Sequence, residues 1–443
     1  MSPVRSHEPP IVIEHRDALI FLLNEAAELE HGIMCQYLFA AFTMKKSVEE
    51  GLTERQLKQV LRWHKVVLSV ATEEMLHMAQ VNNLLLAIGA APRVGRPNLP
   101  HRGRRYPPSV QLALVPFGEQ AVRHFLFLER PEGITLRDAD GFEIPDEAVP
   151  LTTDQDIAPH VQDFATVGHL YRSIEAGIRH LCARHGEEWL FIGPHAAQAS
   201  PESFRWPDLI RVTDLDSAMK GIDIIVEQGE GPRGHWRDAH YGRFLEVLGE
   251  LLTMKKTDPM FQPARPVVPL FVRPPSDTDG PLVSDPTTAR VLDAFNVTYE
   301  ILLQSLARFF GHVEETPDQV AFLTDLGVLL MTTVLKPLGE LATRLPAGPD
   351  HPGMTAGPSF ELFHASGYLL PHARPAWVLM HERLVELSTF IKATVNKAGL
   401  PEDLVEIARN VDRLAAMMTD HMEDLNLRKV VAPLAWLGRS PAG

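Results

Sequence analysis

"ELEHGIMCQYLFAAF", residues 28–42, reads as a helix bound for the protein interior, apart from its acidic residues. An α-helix turns about 100° per residue, so positions seven apart fall on nearly the same side. Glu30 follows Leu23 by seven positions and precedes Tyr37 by seven, with Leu19 and Ala41 extending the same stripe. It therefore points toward the core. A carboxylate buried alone is costly and has to be neutralised, paired or bound to a cation.

The next helical pattern repeats the anomaly in "ATEEMLHMAQVNNLLLAIG", residues 71–89. Glu74 shares a stripe with Val67, Val70, Ala71, His77, Met78, Val81 and Leu85, whereas Glu73 falls beside more polar positions. Glu74 and His77, one turn apart, face the same way. This Glu-x-x-His spacing offers one oxygen and one imidazole nitrogen to a single metal ion. Neither helix places a basic residue inward nearby, so an internal salt bridge does not account for the acids.

Further inward polar residues occur downstream. In "VGHLYRSIEAGIRHLC" (167–182), Glu175 falls on the face of Phe164, Tyr171, Ile178 and Cys182. "DIIVEQGEG" (223–231) supplies Glu227 and Glu230, and "DAHYGRF" (238–244) supplies His240 on a stripe with Trp236, Phe244, Val247 and Leu251. Glu227 lies more than a quarter turn off the stripe of Leu215, Met219, Ile222 and Val226. Either the helix is overwound or π-bulged there, or it ends early and Glu230 takes that role. Tyr37 and Tyr171 suit core packing, with a hydrogen bond to an inward carboxylate as the alternative. Glu28 and His31 form a second Glu-x-x-His off the core stripe, which places them at a surface or interface.

The 443 residues, 45% of them hydrophobic, suffice for two or three packed units. Helical patterns run at about 17–46, 53–88, 164–185, 214–228 and 235–256, with a short one at 119–129. Four more follow near 288–312, 317–345, 375–398 and 402–425. No β-alternation is long enough for a sheet, so the expected fold class is all-α. A first unit over 14–258 contains a long Pro/Arg/Gly-rich crossover at 92–160. A Pro-rich linker at 259–286 leads to a C-terminal helical unit at 287–430, expected to pack on the bundle, dimerise or shape a pocket. His381 beside Glu382 in that unit reads as a solvated pair.

Lys and Arg number 42 against 57 Asp and Glu, a balance of -15 that argues against nucleic acid or an anionic membrane surface. The basic run "HRGRRYPP" (101–108) reads as a solvated loop, with a substrate carboxylate as the alternative ligand. Cys35 and Cys182 imply neither a disulfide framework nor a thiolate site. Neither a secretory h-region nor an apolar run of membrane-spanning length is evident, so a cytoplasmic protein is expected.

"LEHGIMCQYLFAAF", "EEMLHMAQVNNLLLAIGAAP", "VEQGEG" and "HYGRF" resemble a ferritin-like domain family that includes part of the imine-dimer (iminophenylpyruvate dimer) synthases of violacein and indolocarbazole biosynthesis. "LLMTTVLKPLGELATRLP" (329–346) and "TAGPSFE" (355–361) look like that family's downstream region. The Glu30 to Tyr37 spacing is also similar to that of rubrerythrins. The resemblance implies a ferritin-like four-helix dimetal bundle with Glu30, Glu74, His77, Glu175, Glu227 and His240 as ligands, although the second half carries no intact Glu-x-x-His.

Oxygen-rich ligands with two histidines suit two iron ions, or manganese. The expected function is an O₂- or peroxide-dependent oxidase or oxygenase acting on a small, amino-acid-derived metabolite. Its partners are then the substrate and O₂, with homo-oligomerisation open and the catalytic residues unassigned. The alternative is a non-catalytic metal-binding or accessory partner of a larger biosynthetic enzyme.

Overall fold

The computed structural model describes residues 10–101, 106–107, 110–142, 153, 156, 158–231, 235–273, 280–363, 369, 371–395 and 402–422. The chain divides into two compact units, Met1–Arg265 and Pro266–Gly443. In the basic run at 101–108, Arg102, Arg104 and Arg105 lie outside the described residues.

The first unit is organised by a long antiparallel pair, α1 (Arg16–Thr43) and α2 (Glu54–Ala87). His15 caps α1 by accepting from the Ala18 N–H. Thr53 and Gln56 form a reciprocal capping box at α2, satisfying donors that a helix N-terminus leaves open. α1 is buried on nearly all sides. Glu28 and His31 belong to that interior, which corrects their expected surface position. Glu28 accepts from Arg93 and, at 3.1 Å, from Tyr106, and so ties the segment after α2 back onto α1.

The other two positions of the bundle are each filled by two shorter helices. α3 (Glu119–Leu128) and α4 (Val167–His185) run antiparallel to α1 in succession. The Phe117 N–H just before α3 donates to Thr43 at 2.9 Å, and Tyr37 meets Phe125 with ring centroids 4.6 Å apart. Farther along, Tyr171 reaches Glu30, and Gly177 leaves room for Ile13. Two one-turn helices follow, α5 (Glu187–Leu190) and α6 (Pro201–Phe204). α7 (Leu215–Gly229) and α8 (His240–Thr257) then run antiparallel to α2. Gly221 lies against Gln80, Arg243 bonds Glu73, Trp63 donates to Glu250 at 2.8 Å, and Gln56 donates to Asp258 at 2.9 Å. Both breaks fall at the level of Glu30 and Glu74.

The break after α7 follows from Gly231, whose φ of 80° ends the helix in a left-handed turn. A Cβ there would also stand 2.7 Å from Trp236 Cα. Glu230 therefore closes one helix, and His240 opens the next.

In the second unit, α9 (Pro286–Phe310), α10 (Pro317–Leu330), α11 (Lys336–Ala342), α12 (Ala373–Val395) and α13 (Asp403–Met422) pack together. A π-helical turn, Met331–Leu335, joins α10 to α11. The run Pro317–Ala342 is long and apolar enough to cross a bilayer by length and composition, but here it packs on α9 and α13. Among the described residues, two three-residue strands, β1 (Val267–Pro269) and β2 (Thr355–Gly357), form a parallel pair. His381 is buried with its ring 3.0 Å from Thr419 Oγ1, contrary to the solvated pair read from the sequence.

Candidate metal centre

Two triplets of buried side chains meet at the helix breaks: Glu30, Glu74 and His77, and Glu74, Glu129 and His240. Within each triplet the potential ligand atoms lie within 4.8 Å of one another. Glu74 belongs to both. Its Oε2 is 2.9 Å from His77 Nδ1, and its Oε1 is 2.9 Å from His240 Nδ1. Glu30 Oε2 stands 3.6 Å from His77 Nδ1 and Glu129 Oε2 stands 3.4 Å from His240 Nδ1. The imidazoles stack with centroids 5.5 Å apart.

A tyrosine holds each outer carboxylate. Tyr171 donates to Glu30 Oε1 at 2.5 Å, and Tyr37 donates to Glu129 Oε1. The hydrogen-bonding alternative for both tyrosines is thus the one present. Burial raises both hydroxyls well above the ordinary tyrosine range, with Glu129 adding for Tyr37 and Glu30 for Tyr171. They remain donors.

The electrostatics are those of acids crowded out of water. Burial and Glu74 push Glu30 up to about 7. Burial alone would lower His77, yet Glu74 and Glu30 raise it to about 10, and His240 is likewise raised by Glu74 and Glu129. Burial and Glu129 push Glu74 up, but the two imidazoles more than offset them and leave it below its usual value. Removing a carboxylate from water costs several kcal/mol even after relaxation. Three of them around two imidazoles form a cradle suited to positive charge.

The donor set fits divalent metal. His240 is fully buried, and among the described residues its Nδ1 makes no directional hydrogen bond although two carboxylates face it. That atom is a ready ligand.

The structure does not bring Glu175 or Glu227 to this point, which corrects both readings. On α4, Ile174 and Ile178 occupy the inward stripe, so Glu175 sits at its edge and pairs with Arg179 at 2.8 Å. On α7, Ala218, Ile222 and Ile225 face inward, and Glu227, about 200° past Ile225, is exposed. Glu129 supplies the carboxylate that sequence reasoning missed. It follows Val122 by seven positions and Phe125 by four, so the helical period that placed Glu30 also places Glu129 inward.

Glu230 borders the same space. It helps line a recess of about 360 Å³, open solvent at its mouth included, together with Glu30, Glu74, His77, Glu129 and Tyr171. The apolar part of the wall is Ile33, Leu128, Val167, Ile225 and Val226. Glu230 Oε1 is buried with no hydrogen-bond partner among the described residues, and Oε2 has only 3.4 Å contacts to the Glu132 N–H and Arg172. Gly168 leaves its space empty for this carboxylate, because a Cβ there would overlap it.

Four helical positions converging inward carboxylates and histidines define a carboxylate–histidine bundle. The chain belongs to the ferritin-like family, which it matches over residues 23–249. Two curated relatives extend the likeness. Dichlorochromopyrrolate synthase of Lentzea aerocolonigenes is 28% identical, across 94% of this chain and 42% of that enzyme. The 2-imino-3-(indol-3-yl)propanoate dimerase of Chromobacterium violaceum is 29% identical, across 79% of this chain and 34% of that enzyme. The chain thus spans less than half the length of either. A ferritin-like protein from Caulobacter vibrioides, 18% identical, covers 71% of this chain and 96% of its own with a TM-score of 0.46.

Proposed function

We propose that the chain is a dimetal oxidase or oxygenase that acts on a small amino-acid-derived metabolite. Two iron ions, or manganese, would be held by Glu30, Glu74, His77, Glu129 and His240, with Glu230 as the sixth donor. The supporting observation is Glu74, whose two oxygens serve both triplets beside an open recess. Bound metal would supply activation of O₂ or peroxide.

The chain's own residues prepare that chemistry. Tyr37 and Tyr171 fix the outer carboxylates, and Gln228 accepts from His77 Nε2 at 2.9 Å, which leaves Nδ1 for the metal. The apolar wall of Ile33, Leu128, Val167, Ile225 and Val226 gives the recess an apolar side toward which a substrate's apolar part would turn. Burial raises Glu230 above the ordinary carboxylate range, with the Glu132 N–H and Arg172 opposing the rise.

The relatives' names denote one enzyme that dimerises 2-imino-3-(indol-3-yl)propanoate, which makes that imine the first substrate to test. Protein loaded anaerobically with Fe(II) should take up O₂ faster with the imine than without, yielding an oxidised or coupled product by mass spectrometry. Bound iron without substrate-dependent uptake would instead support an accessory role beside a larger enzyme. A cytoplasmic location accompanies either reading.

A further inference from the structure

The two triplets match closely. Each holds two carboxylates and one histidine, and in each the outer carboxylate takes a tyrosine hydroxyl. Both histidines present Nδ1 to the carboxylates. They differ in what lies behind the ring. His77 Nε2 meets the neutral amide oxygen of Gln228 at 2.9 Å. His240 Nε2 meets Glu73 Oε2 at 2.9 Å, and Glu73 is held in turn by Arg243 Nη1 at 2.9 Å and by a second contact from Nη2.

A carboxylate accepts and never donates when ionised, so Glu73 holds the proton on Nε2 and makes Nδ1 the nitrogen that faces the metal position. Its charge also makes the imidazole a stronger donor than one backed by an amide. Glu73 is three-quarters buried at its side chain, and Arg243 is similarly covered, so solvent does not erase this difference.

We propose that Glu73, clamped by Arg243, is a positioning residue that makes the His240 metal position the tighter of two inequivalent positions. The inference rests on the dimetal reading above. It assigns a role to a side chain whose helical direction had set it aside from the core.

The test is anaerobic titration with Co(II), followed by visible absorption. Wild-type protein should fill in two steps, the tighter one absent in His240→Ala and the weaker one absent in His77→Ala. Glu73→Gln, close in shape, should weaken the tighter step by about 10- to 100-fold and spare the other. Gln228→Glu should strengthen the weaker step until the two converge, a gain that a purely structural role for these residues would not produce. Should Glu73→Gln misfold by circular dichroism, Arg243→Gln serves in its place and should weaken the same step. Two wild-type steps left unshifted by these substitutions, or both lost equally, would overturn the inference and leave the dimetal reading standing. No Co(II) binding by the wild-type protein would overturn both.

Discussion

Glu74 presents Oε2 2.9 Å from His77 Nδ1 and Oε1 2.9 Å from His240 Nδ1. One carboxylate from α2 thereby couples a histidine of its own helix to one that opens α8. The arrangement depends on the break between α7 and α8, since an uninterrupted helix would place neither Glu230 nor His240 where they stand.

Glu129→Ala should reduce bound metal, whereas Glu175→Ala should leave it at the wild-type level, because only Glu129 joins a triplet. Metal analysis of both variants after identical loading checks this. Retained metal in Glu129→Ala, or loss in Glu175→Ala, would restore the sequence-derived ligand set over the structural one.

Much of the first half was legible because α1 and α2 are continuous, so stripes counted from Leu23 and Val67 lead to Glu30, Glu74 and His77. The second half was not, since its two bundle positions are interrupted. A stripe counted along α7 cannot continue through Gly231 to His240. Glu129 caps the C-terminus of a ten-residue helix inside what reads as crossover, where a short apolar piece does not announce itself as part of the bundle. Glu175 failed for a different reason: Ile174, its neighbour, competes for the inward position, and a period of 3.6 does not separate adjacent residues sharply at the edge of a stripe.

Tyr37→Phe and Tyr171→Phe keep the ring and remove only the hydrogen bond to a site carboxylate. Each should weaken metal binding by about tenfold, in line with loss of an outer partner. Metal-free protein should lose about 1.5–3 kcal/mol, the scale of a hydrogen bond to a charged group. Metal titration and urea denaturation measure the two effects. Wild-type values in both assays would show that the hydroxyls do not hold the carboxylates.

The metal-free protein should lose stability as pH rises from about 6.5 to 10. His77 is raised from 6.5 to about 10, so its contribution is fully present below 6.5 and is lost as pH climbs through 10. Glu30, raised from 4.5 to about 7, acts in the same sense at lower pH. Metal binding needs both groups deprotonated, so Mn(II) should stabilise more at higher pH and flatten the decline. Melting temperatures with and without Mn(II) test the sign, and a rise across this window without metal would contradict it.

Gly231→Ala should cost more than Gly133→Ala, although both glycines have positive φ, 80° and 83°. At Gly133 a Cβ meets nothing within 4 Å, leaving only the left-handed strain of about 1–2 kcal/mol. At Gly231 the added Cβ also meets the Trp236 backbone at 2.7 Å, so the turn leading to His240 must shift. Denaturation midpoints and metal affinity should both fall for Gly231→Ala, with affinity spared in Gly133→Ala. Equal effects would show that the turn at Gly231 does not position His240.

Iron per chain after anaerobic Fe(II) loading and desalting, compared between wild type and Glu74→Ala, shows whether one shared carboxylate holds two metal ions. Since Glu74 serves both positions, the wild type should hold about two irons, as in dimetal carboxylate bundles, and a helical, folded Glu74→Ala protein almost none. Iron absent from the wild type, or equally present in both, would contradict it.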